Sequence, residues 1–362
     1  MAFEKHLDVL VSAAVIGFAA GFVAGVAMPA HGQEVDVPPA NFVEDVTNAG
    51  TSAAAFLQIG VGARAQAMGN AAASRAVDAT ALFWNPAAVA TLDGNVHVAF
   101  DHTNWLIDTS LDYVGAVLRF PGLGVLGMSI MSFQAVDEQP VRTISQPEGT
   151  GEFYSASDLV LAVTYAASLT DRFAAGVTTK YVRESLWNES ASAVAFDLGI
   201  LYRTKLEGFR LAAGISNFGS DMRLGGRDLL RPFDDDPNNF SNDQLNVRLE
   251  TDRFSLPLNF RFGLEYELRA TEMHRLIVAA DLLNPSDNSQ AVNIGAEYAF
   301  FDTIFFRGGL SALFEQDRTG GATFGLGVQR RLLGGLQLAA DYAYADWGIL
   351  DQTHRVTLAV SR

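Results

Sequence analysis

The 362-residue chain contains no cysteine, which excludes disulfide staples and thiolate metal sites. Lysine is almost missing: 22 of the 25 basic residues are arginine, and 41 acids leave a formal charge of −16. That excess of acid argues against nucleic acid as a partner, because phosphate binding wants a basic track. After Gly94 no apolar run approaches the roughly 20 residues of a spanning helix. If this region crosses a membrane it does so as strands, and only a closed barrel satisfies strand backbones in lipid. Catalytic signatures are also missing. His97, His102, His274 and His354 lie on separate segments without metal-ligand spacing, and no Gly-x-Ser-x-Gly elbow occurs. The glycine-rich Gly60-Val61-Gly62 stretch lacks the Gly-Lys-Ser/Thr ending of a phosphate loop. The sequence therefore predicts no catalytic, cofactor or metal site.

What is present is a rhythm of period two. Fourteen segments of alternating apolar and polar residues run near 94–101, 109–120, 123–133, 156–168, 173–183, 191–206, 209–218, 253–268, 273–284, 289–301, 303–315, 319–332, 336–347 and 352–362. Over Leu258–Leu268 one parity reads Leu258, Phe260, Phe262, Leu264, Tyr266, Leu268, and the other Asn259, Arg261, Gly263, Glu265, Glu267. Hydrocarbon on one face and charge on the other is what a lipid-embedded barrel strand needs. A soluble sandwich would turn the same parity inward. Connection lengths separate the two. Short turns such as Pro121-Gly122 and Phe301-Asp302 alternate with longer connections at 134–155, 184–190 and 219–252. Outer-membrane barrels sort their loops in this way. The expectation is a fourteen-stranded antiparallel transmembrane β-barrel over 94–362, all-β, with an N-terminal plug containing short helices.

Residues 9–28 are almost wholly apolar, and Ala30-His31-Gly32 offers small residues before Gln33, so 1–32 reads as a cleaved signal peptide. Export and an even strand count put both barrel ends on the periplasmic side of the bacterial outer membrane. Residues 33–50 read as a flexible segment. The longest loop, 219–252, holds eight acids and four arginines and reads as a solvated extracellular face. Its run Asp234-Asp235-Asp236 lacks the alternating spacing of a calcium loop.

Residues 51–93 are alanine-rich and non-alternating, and read as a plug or hatch lodged against the inner wall. Asp78 can cap a short helix through Ala79–Ala81, and Asn85-Pro86 ends it. Inward parity collects Asp197, Arg203, Arg261, Glu265, Glu267, Glu297, Arg307, Asp341 and Arg355. Mixed signs predict paired charges across the lumen, since an unpaired buried charge is expensive. Arg64 is expected to pair with one of these acids. The plug and lumen candidates are thus Arg64, Asn70, Asp78, Asn85, Asp197, Arg261, Glu265, Glu297, Arg307 and Asp341. Trp105, Tyr154, Trp187, Phe218, Phe301 and Trp347 stand near strand ends, where aromatic girdles belong.

The run from Phe56 through Gly60-Val61-Gly62-Ala63-Arg64-Ala65-Gln66-Ala67-Met68-Gly69-Asn70, then Asp78-Ala79-Thr80-Ala81-Leu82-Phe83-Trp84-Asn85-Pro86-Ala87, closely resembles the N-terminal signature of the PorV/PorQ family. That family resembles the FadL-type outer-membrane barrels, which have fourteen strands and an N-terminal plug. Ser255-Leu256-Pro257-Leu258 is similar to the family's mid-barrel strand, and the final strand departs by ending in Arg362 rather than an aromatic. The resemblance implies two different jobs. One is docking of secretion-system subunits or exported cargo in type IX secretion and surface attachment. The other is FadL-like passage of a hydrophobic small molecule. The first is preferred, with outer-membrane lipid as the surrounding partner.

Overall fold

The computed structural model describes residues 48–234, 245–315, 318 and 320–362. The expected leader, the 33–50 segment up to residue 47 and most of the Asp234–Asp236 run lie outside them, and the calcium question lies there too.

Fourteen antiparallel strands form the wall: β1 (Val96–Asn104), β2 (Ser110–Phe120), β3 (Gly124–Pro140), β4 (Phe153–Ser168), β5 (Phe173–Leu186), β6 (Glu189–Arg203), β7 (Phe209–Gly219), β8 (Asn259–Arg269), β9 (His274–Pro285), β10 (Ala291–Phe300), β11 (Ile304–Leu313), β12 (Ala322–Arg331), β13 (Gln337–Asp346) and β14 (Gln352–Ser361). Each pairs with its neighbour in sequence, and β1 closes on β14 from His97 opposite Ser361 to Asn104 opposite His354. Closure leaves no edge strand in the wall. No helix among the described residues is long and apolar enough to cross a membrane.

The alternation in the sequence becomes the two faces of this wall. On β4, Leu161, Val163 and Tyr165 are exposed while Val160, Ala162, Thr164 and Ala166 are buried. On β13, Leu338 and Tyr342 are exposed while Asp341 and Ala343 are buried. An outer face of exposed aliphatic and aromatic side chains suits hydrocarbon rather than water.

Three connections differ from the sequence reading. Pairing of β3 with β4 continues to Pro140 opposite Phe153, so the connection expected at 134–155 shrinks to 141–152. Register shifts between Gln134, Val136 and Gln139 break the alternation there and disguise the strand. The connection expected at 184–190 is only the turn Trp187-Asn188, because Leu186 pairs with Glu189. Polar residues on both faces of that strand end mimic a loop. The eighth strand starts at Asn259, not near 253, since Arg253-Phe254 pair with Met222-Arg223 instead. Pro257 has no N–H to donate to the wall.

Asn95 and Arg362 lie at one end, called here the terminal end, where the connections are three to five residues long. At the opposite loop end they range from the two residues 187–188 to the 39 residues of 220–258.

Residues 51–93 sit inside the wall as a 3-10 turn (Ala55–Gln58), α1 (Ala63–Ala67), α2 (Ala81–Trp84) and a second 3-10 turn (Ala88–Thr91). Leu82, Val89 and Leu92 pack on inward Val117, Val125 and Leu201, while Phe56, Leu57 and Val61 pack on Leu111, Met131, Val160 and Val182. The lumen is thus two-sided, mainly apolar along β2–β6, where Lys180 and Asp197 form a buried ion pair, and richer in charge along β8–β14. Glycines in the wall make the fit possible. A Cβ at Gly176 would lie 2.5 Å from the Pro86 carbonyl carbon, and one at Gly295 would overlap the Met68 backbone.

Candidate functional site in the lumen

The charged half of the wall binds the plug through pairs that the strand register prepares. Glu297 on β10 stands opposite Arg307 on β11. Arg307 Nε donates to Glu297 Oε2 at 2.7 Å, and Arg64 of α1 donates to the same oxygen at 2.8 Å. Arg307 Nη1 also donates to Asp341 on β13. Arg64, Glu297, Arg307 and Asp341 are therefore one buried network joining plug to wall. Removing a single member of such a network exposes the others to an uncompensated charge, at roughly 3–5 kcal/mol.

A second anchor forms at Arg75, whose Nε donates to Glu265 Oε1 at 2.7 Å and whose Nη2 donates to Glu267. Burial is the strongest single influence on Arg75 and opposes its charge, but the two carboxylates together hold its pKa above the ordinary arginine value. A third is Asp281 on β9, whose Oδ2 accepts the Ala72 and Ala73 N–H groups at 3.0 Å each. Arg261 lies 3.5 Å from Asp281 Oδ2 and places its guanidinium over the Trp84 ring at 4.6 Å.

The remaining candidates shape the plug itself. Asp78 Oδ1 accepts the Thr80 N–H at 2.8 Å and its hydroxyl at 2.6 Å, a turn that precedes α2 rather than capping it, since Thr80 occupies the N-cap. Asn85 uses its whole carboxamide: Nδ2 donates to Ala73 O at 3.0 Å and Ile200 O at 3.1 Å, and Oδ1 accepts the Ala87 N–H at 2.9 Å. Asn70 sits at φ 66, and its carbonyl accepts from Asn293 at 3.4 Å. Asp197 joins none of the plug contacts. It pairs with Lys180 at 2.6 Å across the wall.

Sequence reasoning did not assign Arg75, Asp101, Lys180, Asn217 or Asp281 to the plug or the lumen. Parity could have found three of them: Asp101, Lys180 and Asp281 lie on inward positions of β1, β5 and β9. Asp101 accepts from Thr357 and lies 3.5 Å from Arg355. Asn217 had no parity signal, because it occupies a left-handed φ of 63 beside a register shift between β6 and β7. From that position its N–H donates to Asp197 at 2.8 Å, its Oδ1 accepts from Lys180 at 2.9 Å, and its Nδ2 donates to Pro257 O at 3.0 Å.

Between the plug and the loop end lies a chamber of about 370 Å³, bordered by Trp84, Trp105, Trp347 and several carboxamides. Trp105 and Trp347 pack edge to face at 5.1 Å on its rim, which removes both from the expected lipid girdle. Trp187, Phe218 and Phe301 are exposed at strand ends. Beyond the barrel rim, Leu230–Phe233 pairs with Leu245–Arg248 as a small hairpin, and Leu230, Phe233, Leu245, Val247 and the neighbouring Leu249 are all exposed. Among the described residues no group of three or more His, Asp or Glu could hold a metal ion.

The family model described as type IX secretion system protein PorV matches residues 42–227, about half of the chain. A comparison with curated proteins finds no match. Among solved structures the chain resembles the toluene transporter TbuX of Ralstonia pickettii (13% identity, TM-score 0.52, covering 83% of this chain and 97% of that one). It also resembles the toluene transporter TodX of Pseudomonas putida (14% identity, TM-score 0.51, covering 83% and 97%). A FadL homologue of Pseudomonas aeruginosa is similar in the same way (12% identity, TM-score 0.50, covering 82% and 97%). At these identities the likeness establishes a shared barrel fold, not a shared solute.

Proposed function

Because the chain belongs to the PorV family, whose described role lies in type IX secretion, we propose that it is a non-enzymatic outer-membrane barrel that docks protein partners at its loop end. In this reading a leader over 1–32 is removed before Gln33, the terminal end faces the periplasm, and the loops face outward. The partners are subunits of the secretion apparatus or exported cargo.

The observation that carries the reading is where apolar surface lies. A conduit for hydrocarbons needs a greasy path inward, whereas a docking protein needs its apolar patch on the crown. Here Leu230, Phe233, Leu245, Val247 and Leu249 stand exposed on the crown hairpin, and the apolar half of the lumen is covered by the plug. Seven carboxamides and five charged side chains interrupt the apolar border of the space left open. Acids in the same loop, including Asp221, Asp228 and Glu250, would add charge selection at the rim.

The test is purification of the tagged full chain from native membranes, beside a variant with Leu230, Phe233, Leu245 and Val247 changed to Ser. Recovery of secretion subunits or exported proteins with the wild type, lost with the variant, supports docking. A bound lipid-like molecule and no protein partner would favour FadL-like transport of a hydrophobic solute.

A further inference from the structure

We propose that the chamber between the plug and the loop end is a binding site for a neutral, hydroxyl-rich small molecule, namely a saccharide unit. Its volume of about 370 Å³ falls within the range of roughly 300–1,000 Å³ typical of small-molecule sites. Chamber and crown hairpin share no residue, so this proposal and the docking proposal stand or fall separately.

The border chemistry selects the ligand class by elimination. Lys180, Arg261 and Arg355 reach the chamber, but each already faces a wall carboxylate: Asp197 at 2.6 Å, Asp281 at 3.5 Å and Asp101 at 3.5 Å. No cation is left over to attract an anion. Seven side-chain carboxamides border the space, and a hydrocarbon would return no hydrogen bond to those that the fold leaves unpaired, which is costly. Three of those amides, on Gln66, Asn70 and Asn259, have a carbonyl oxygen with no hydrogen-bond partner. Asp346 and Glu315 add acceptors at the rim, and among the described residues neither is in a salt bridge.

An array of amides and carboxylates wants a ligand whose groups both donate and accept, and a hydroxyl does both. Three of the four tryptophans of the chain, Trp84, Trp105 and Trp347, border the same space. Flat indoles beside planar amides fit a pyranose ring, whose C–H face is apolar and whose edge is polar.

The tryptophans make the proposal directly measurable. Trp187, the fourth, is outside the chamber, so Trp187→Phe leaves an emission signal that comes only from the site. The full-length chain, purified in an amine-oxide detergent that carries no sugar, is titrated with glucose, N-acetylglucosamine, maltose, dodecyl maltoside and toluene. The proposal predicts a saturable emission change with at least one saccharide and none with toluene. Response to maltose marks a free sugar, and response to dodecyl maltoside alone marks a glycolipid head group, because the micelle already supplies the alkyl chain. Asn259→Leu removes an amide whose oxygen has no hydrogen-bond partner in the wall and should weaken the response at least tenfold. Asn288→Ala serves as a second variant, and heat-modified gel mobility confirms that each is folded. No response to any saccharide, or saturation by toluene alone, overturns the proposal.

Discussion

Arg64 Nε and Glu297 Oε2 lie 2.8 Å apart, and both side chains are almost fully buried. This contact joins a residue in the plug to one on the wall 233 positions later in the chain. Arg307 shares the same carboxylate oxygen and Arg275 Nη1 lies 3.5 Å from the other, so Glu297 faces three guanidiniums at once. Glu297→Gln should therefore cost more than Arg64→Met, within the roughly 3–5 kcal/mol expected for breaking a buried pair. Thermal unfolding in detergent micelles, followed by the loss of β-sheet signal, would check the order. Equal midpoints for the two variants would contradict the shared-carboxylate account.

A wall glycine and a loop glycine, Gly295 and Gly225, should behave according to what faces them. A side chain at Gly295 collides with the Met68 backbone, whereas nothing lies within 4 Å of one at Gly225. Gly295→Val should displace the plug and raise ion conductance in a planar bilayer. Gly225→Ala should leave the trace closed, like the wild type.

The outer face is tested by depth. An arginine at Phe262, on the lipid-facing parity of β8, should destabilise the barrel by about 2–4 kcal/mol if the site lies at mid-membrane. The same change at Asn259, on the inward parity at the end of β8, should cost less. Refolding into lipid vesicles over a denaturant series measures both.

Much of this was legible because a period of two assigns every strand residue to a face. Parity alone places Glu265, Glu297, Arg307 and Asp341 inside, and their mixed charge implies that they pair. It could not say which acid Arg64 would meet, because that depends on how far α1 is inserted. Nor did it reveal Asn217, whose left-handed backbone steps out of the alternation. Trp105 and Trp347 misled for a related reason. Strand-end aromatics face lipid only when the strand end lies at the interface, and these two turn inward over the chamber.

Asn217 supports a prediction that separates backbone from side chain. Asn217→Gly keeps the left-handed backbone easy but removes the contacts to Lys180 and Pro257. Asn217→Val loses both, adding about 1–2 kcal/mol for the left-handed conformation. Valine should therefore unfold at lower denaturant than glycine, and a reversed order would show that the left-handed backbone is incidental to stability at this position.

At the terminal end Asp302 accepts from Arg275 at 2.8 Å and lies 3.2 Å from Arg269. Partial burial raises its pKa, but the two arginines outweigh that and hold it below the ordinary aspartate value. A depressed carboxylate contributes stability above its unfolded pKa, near 3.9, and loses it as the pH falls through the lower folded value. The difference in unfolding midpoint between wild type and Asp302→Asn should hold from pH 7 to 5 and narrow below about pH 4.

The central claim is that partners meet the crown hairpin rather than a path through the lumen. A photo-crosslinking amino acid placed at Phe233 in secreting cells tests it most directly, with the lipid-facing Val163 as the control position. The account predicts covalent adducts with secretion-apparatus or exported proteins from Phe233 and none from Val163. Absence of protein adducts from Phe233, together with toluene uptake that depends on the chain, would contradict it.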